Sequence, residues 1–175
     1  MKTFLTIILA GLFAVNVFAQ HTANIDFYVG TWKYTNAQTG EEFTLQLRKS
    51  FNSVISCWCV VGAYTYKKNG TIITDCMNMY LLQIKENEMP VYATNSRNDP
   101  TWVNPNRLDM YVTDYGKFCP NGTNKRSRSN TLELVSSGTP NKVRWILKND
   151  EGDYIASEAP PNDFSIPTDI ILTKQ

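Results

Sequence analysis

The chain has 175 residues, of which 42% are hydrophobic and 19% charged, and its 17 basic side chains nearly balance 16 acidic ones. That balance excludes the strongly basic character on which nucleic-acid binding usually rests. After residue 19, nothing approaches the roughly 17–25 apolar residues of a membrane-spanning helix. The size suits one domain with room for a real core.

In chain order, Met1–Ala19 reads as a secretory signal peptide. Lys2 precedes an apolar run, Phe4 to Val15, and small residues follow at Val17 and Ala19, the positions a signal peptidase inspects. The layout predicts cleavage before Gln20 and a periplasmic or extracellular mature domain over residues 20–175. Since Lys2 leaves with the signal, that domain carries 16 basic and 16 acidic residues. A short helical turn is expected over 24–29, capped by Asn24.

The rest reads as strands. Phe43, Leu45 and Leu47 alternate with polar neighbours, and Val54 to Tyr66 is rich in β-branched and aromatic residues. Asn69-Gly70 is a strong hairpin signal because both residues tolerate positive φ. It predicts a return strand over 71–83, with Lys68 facing Thr71 and Ala63 facing Cys76. Leu108, Met110 and Val112 alternate, Leu132 and Leu134 flank Glu133, and Val143, Trp145 and Leu147 alternate again. Asn149-Asp150-Glu151-Gly152 predicts another hairpin into 153–156, and a last strand is expected over 169–173. Two long loops are expected, at 95–106 and 114–130. The second holds Cys119 and the cations Lys125, Arg126 and Arg128. The expected fold is a single all-β antiparallel barrel of about 8–10 strands.

All four cysteines, Cys57, Cys59, Cys76 and Cys119, lie in the mature chain, and an even count in an exported protein suggests disulfides. Three connectivities are possible. Cys76 with Cys119 is favoured, because the simple hairpin register leaves Cys76 away from Cys57 and Cys59 and because a long loop needs a tether. Cys57-x-Cys59 lacks the paired Cys-x-x-Cys spacing of zinc sites, so no metal is expected, and no motif calls for a cofactor.

Asn24 to Tyr34 places a helical turn before Gly30-x-Trp32 at the head of the first strand. This resembles the opening of the calycin barrels, the lipocalins and fatty-acid-binding proteins. The resemblance implies a lipocalin-like barrel in which Gly30 permits the tight turn and Trp32 closes one end beneath a late cation, Lys174 ahead of Arg144. The chain lacks the helical lid and the closing Arg-x-Tyr of fatty-acid-binding proteins, so ligand specificity does not transfer. The chain also resembles a group of small exported bacterial proteins of flavobacterial type that form a domain of unknown function. Tyr28-Val29-Gly30-Thr31-Trp32, Tyr66-Lys67-Lys68-Asn69-Gly70, Leu147 to Gly152 and Ile166 to Gln175 carry that likeness. Cys57, Cys59 and Cys119 fall outside its pattern.

Catalysis has little support. The single histidine, His21, is the second residue after the expected cleavage, which leaves no anchored base for a nucleophilic triad. Asp109, Asp114 and Glu133 are the carboxylates nearest strands, but outward solvated faces explain them as well as an acid–base pair does. Two readings of function follow. In the first, the barrel binds a small apolar or amphipathic molecule, with Tyr34, Trp145 and Leu147 among the lining residues. In the second, it is a structural or protein-interaction module whose interior is filled by its own side chains. A carboxylate-based hydrolase is a distant third.

Overall fold

The structure, a computed structural model, describes residues 26–54, 56–81, 88–94, 107–116, 119, 125–134, 141–148 and 164–175. The expected signal peptide, the 95–106 loop and the 149–156 hairpin lie outside that set. Asp26 to Tyr28 form a helical turn. The strands are β1 Gly30–Asn36, β2 Glu41–Asn52, β3 Cys57–Lys68, β4 Thr71–Asp75, β5 Val91–Thr94, β6 Arg107–Asp114, β7 Lys125–Leu134, β8 Lys142–Ile146 and β9 Asp169–Lys174, with a short helix at Met77–Leu81 between β4 and β5.

Every pairing is antiparallel, and β1 pairs with both β2 and β9. Eight of the strands thereby close into an up-and-down, lipocalin-like barrel. β3 is shared: its first half pairs with β5 and its second with β4. The period-2 pattern decides which side chains enter. Trp32 on β1, Phe43, Leu45 and Leu47 on β2, Val60 and Tyr64 on β3, and Leu132, Trp145 and Leu172 on β7 to β9 are all at most 1% exposed. They form one core together with Val91, Leu108, Met110 and Val112. At about 25 cal/mol per Å² of apolar surface removed from water, this interior is the main stabilising term.

The hairpin after β3 departs from the simple register. Lys68 faces Thr71 as expected, with Asn69 and Gly70 at φ 50° and 73°. A bulge between Tyr66 and Lys67 then shifts the ladder, and the Cys76 amide donates to Tyr64 rather than lying opposite Ala63. An extra residue in one strand turns every later side chain to the other face. The return strand also stops at Asp75, not at residue 83. The Asp75 carboxylate accepts from the Met77 amide at 3.0 Å and so caps the short helix that replaces it.

Two further boundaries differ. Val54 is 90% exposed in the β2–β3 turn rather than on a strand, because Asn52 Oδ1 accepts from the Val54 amide at 3.0 Å and turns the chain. Residues 125–130 belong to β7, paired with β6 up to Asp114–Lys125, and not to the expected 114–130 loop. A backbone ladder needs no apolar side chains, so the polar run Lys125 to Asn130 hides this part of the strand from a hydrophobicity pattern.

Candidate functional site

Two places have the shape of a site: the barrel interior and the outer wall of β1 to β3. At one end of the interior, Trp32 is fully buried and its indole N–H donates to the Tyr28 carbonyl at 2.8 Å. Lys174 faces Trp32 across the β1–β9 ladder. Its ammonium sits 5.2 Å from the Trp32 ring centroid and 5.4 Å from that of Phe27, and donates to the Phe27 carbonyl at 2.6 Å. Burial lowers the Lys174 pKa. Gly30 has φ +125°, a conformation that favours glycine, and a Cβ there would stand 3.3 Å from Lys174 Cε, close enough that the lysine side chain would have to shift. Arg144 lies on the opposite face of the wall, forked onto Asp169 at 2.6 and 2.8 Å. The helical turn is tied to the wall by the Asp26–Lys49 pair at 2.6 Å.

At the other end, Phe164 to Thr168 runs from β6 to β8. Trp145 donates to the Pro167 carbonyl at 2.9 Å, and the Leu147 amide donates to Thr168 at 2.8 Å. Ile166 joins the core. Ser165 gives its hydroxyl (2.6 Å) and its amide to the carboxylate of Asp114, which also accepts from the Gly116 amide at 2.9 Å. Asp114 is 1% exposed, so it is not the solvated outward carboxylate its sequence position suggests. Burial raises the Tyr64 pKa, and the Asp114 charge raises it further; the Tyr64 hydroxyl donates to the Thr113 carbonyl at 2.7 Å. The Cys76–Cys119 disulfide, with Cα atoms 5.3 Å apart, holds the segment after β6 against the end of β4.

Between these ends, aromatic rings of the core pack on one another. Phe43 lies 5.8 Å from Tyr64 and 5.3 Å from Trp145, centroid to centroid. Trp145 and Leu147 are inside the core, and Tyr34 packs against it while its hydroxyl accepts from Asn36 at 3.3 Å. The three residues expected to line a ligand site are therefore together, in contact with other core residues. Near Tyr34, the Tyr66 hydroxyl donates to Glu41 at 2.9 Å. Burial, then that carboxylate, pushes the Tyr66 pKa up to about 12. The Glu41 pKa is lowered, first by the Thr39 hydroxyl and then by Tyr66.

Asp109 pairs with Arg107 at 2.7 Å, and Glu133 accepts from Thr131 at 3.2 Å, so each of these carboxylates has a structural partner. Among the described residues no group of three or more His, Cys, Asp or Glu is placed to hold a metal. Cys59 is buried on the outer wall with its Sγ 3.1 Å from the Ser50 carbonyl oxygen; the Cys57 side chain lies outside the described set.

The outer wall carries the feature the sequence did not announce. The short helix lies over β3, and Tyr80 packs with Cys59, Val61, Met89 and Tyr92 in a second small cluster. Beside it runs a groove of about 500 Å³, floored by outward residues of β1, β2 and β3 and walled by Met77 and Leu81. The sequence signal was present but unspecific: the outward partners in each alternation are Thr, Lys, Gln and Glu, which any solvated strand face carries.

Over residues 1–175 the chain matches the family described as a family of unknown function, DUF6705. The chain belongs to this family. No curated protein and no solved structure matches it. The family match adds no activity, so any functional reading rests on the barrel itself.

Proposed function

We propose that this chain is an exported, non-catalytic barrel whose interior is its own packed core and whose binding surface is its outer wall. The observation that carries this reading is the set of large aromatics Trp32, Phe43, Tyr64 and Trp145, each 0% exposed and all within one core cluster. A barrel of about eight strands has an interior just wide enough for side chains or for one small ligand, and here large aromatics take that space. Chain segments crossing both ends support the same reading. Export is supported by the Met1–Ala19 pattern and by the Cys76–Cys119 disulfide, a bond suited to oxidising compartments. A non-catalytic role is supported by the single histidine near the chain start.

Titration of the purified protein with a fluorescent fatty acid, alongside native mass spectrometry of protein from its own host, tests the reading. The expected result is no saturable one-to-one binding and no co-purified apolar molecule. A stoichiometric ligand displaced by the fatty acid would establish the interior-binding alternative instead.

A further inference from the structure

The groove on the outer wall has a consistent chemistry. In the ladders beneath it, Lys33 faces Thr44 and Thr44 faces Thr65, while Glu42 faces Lys67. One row further along, Thr31 faces Gln46. Hydroxyl, amide and charged groups thus form a grid across three strands, about 4.8 Å apart between strands and roughly 6.7 Å apart along them. Thr65 is oriented by donating to Asp75 at 3.0 Å. Lys33 and Lys67 take part in none of the ion pairs among the described residues. Lys33 and Lys67 are the cations of the floor, against Glu42 and, at its β4 edge, the Asp75 carboxylate that Thr65 and the Met77 amide already engage. Arg48 extends the same face of β2 beyond Gln46, with its guanidinium 5.4 Å from the Tyr80 ring centroid and a buried Nε that has no hydrogen-bond partner.

We infer that this groove binds an acidic oligosaccharide, a hydroxyl-rich chain bearing carboxylate or sulfate groups. The inference rests on the reading that the binding surface is the outer wall. The backbones of Lys33 and Lys67 are two strand spacings across and one row along from each other, about 12 Å, which suits charges spread along an extended ligand rather than one compact anion. The threonine hydroxyls and Gln46 amide match sugar hydroxyls, which need both donors and acceptors. Glu42 accepts from hydroxyls and opposes binding of a simple anion. Met77 and the 72% exposed Leu81 supply an apolar wall for the C–H face of a sugar ring.

Chemical-shift mapping of backbone amides on the full exported protein, at about 0.15 M salt, tests this. The probes are an oligogalacturonate, a sulfated oligosaccharide and a neutral dextran oligomer. The expected result is a set of shifts over residues 31–46 and 65–67 with one or both acidic probes and not with dextran. Which acidic probe acts identifies carboxylate or sulfate as the recognised group. Lys33→Glu and Lys67→Glu, both at outward positions, should each weaken binding about tenfold or more while leaving the amide spectrum folded. Equal shifts with dextran, or unchanged affinity in both variants, would overturn the acidic-ligand assignment. No shifts with any probe would overturn the groove as a sugar site and leave the packed interior standing. Shifts centred on Phe43, Tyr64 and Trp145 would overturn both readings.

Discussion

The ammonium of Lys174 and the indole of Trp32 meet at 5.2 Å across the β1–β9 ladder, 142 residues apart in sequence. The contact joins the first strand to the last at the seam that closes the barrel. Trp32→Ala removes a fully buried aromatic and should cost about 3–5 kcal/mol. Lys174→Ala should cost less, about 0.5–2 kcal/mol, the scale of a cation–π contact. The double variant should lose less than the sum, because both changes remove the same contact. A denaturant-melt cycle measures this, and strict additivity would remove the coupling.

The Cys76–Cys119 bond closes a loop of 43 residues. In the chain-entropy account such a cross-link contributes about 3–4 kcal/mol. Cys76→Ser with Cys119→Ser should lower the urea midpoint accordingly, and reductant should destabilise the wild type but not the double variant. A reductant effect of equal size in both would place the redox sensitivity elsewhere.

Asp114 holds the closing segment at the far end of the barrel by accepting three hydrogen bonds, two from Ser165 and one from Gly116. Ser165→Ala keeps the main-chain donor and loses the hydroxyl, for about 1.5–3 kcal/mol. Asp114→Ala strands all three donors and should cost more than Ser165→Ala. Hydrogen exchange at Ile166 and Thr168 should rise in both variants; unchanged protection would show that the segment is held by its apolar packing alone.

Tyr66 ionises near pH 12 in the folded protein against 10.0 ordinarily, and burial raises Tyr64 as well. A raised phenol pKa means that the unfolded chain releases its proton first. Stability from these groups is therefore complete below pH 10 and declines as pH rises toward 12. Glu41 has the opposite sense: its lowered pKa contributes above the ordinary value of 4.5 and is lost as pH falls. Tyr66→Phe should flatten the alkaline decline and raise the Glu41 pKa, read by carboxyl NMR titration. An unshifted Glu41 would show that Thr39 and Lys68, not Tyr66, hold its pKa down.

Gly62 faces Leu47 on the β2–β3 ladder. A Cβ there would come 2.3 Å from the Gln46 carbonyl oxygen and 2.5 Å from Leu47 Cδ2, so the backbone would have to move. Gly62→Ala should cost about 1–3 kcal/mol, the scale of overpacking. Gly70, with φ +73° but open space around it, should tolerate Asn. A neutral Gly62→Ala would mean that the two strands separate easily at this point.

What the sequence determined is the local alternation. Phe43-x-Leu45-x-Leu47, Leu108-x-Met110-x-Val112 and Val143-x-Trp145-x-Leu147 each specify a strand with one buried face, because a side-chain period of two lets only one set reach the core. Asn69-Gly70 specified its turn for the equally local reason of positive φ. What local pattern could not reveal was decided in three dimensions. The bulge at Tyr66/Lys67 sets which residue faces Cys76, and a ladder partner rather than hydrophobicity makes a strand of 125–130. Asp114 becomes a buried anchor only because Ser165 arrives from 51 positions away. The outer groove exists only because the helix after β4 folds back over a polar wall whose threonines, lysines and Glu42 look in sequence like any solvated face. Non-local contacts, not composition, give those residues their surroundings.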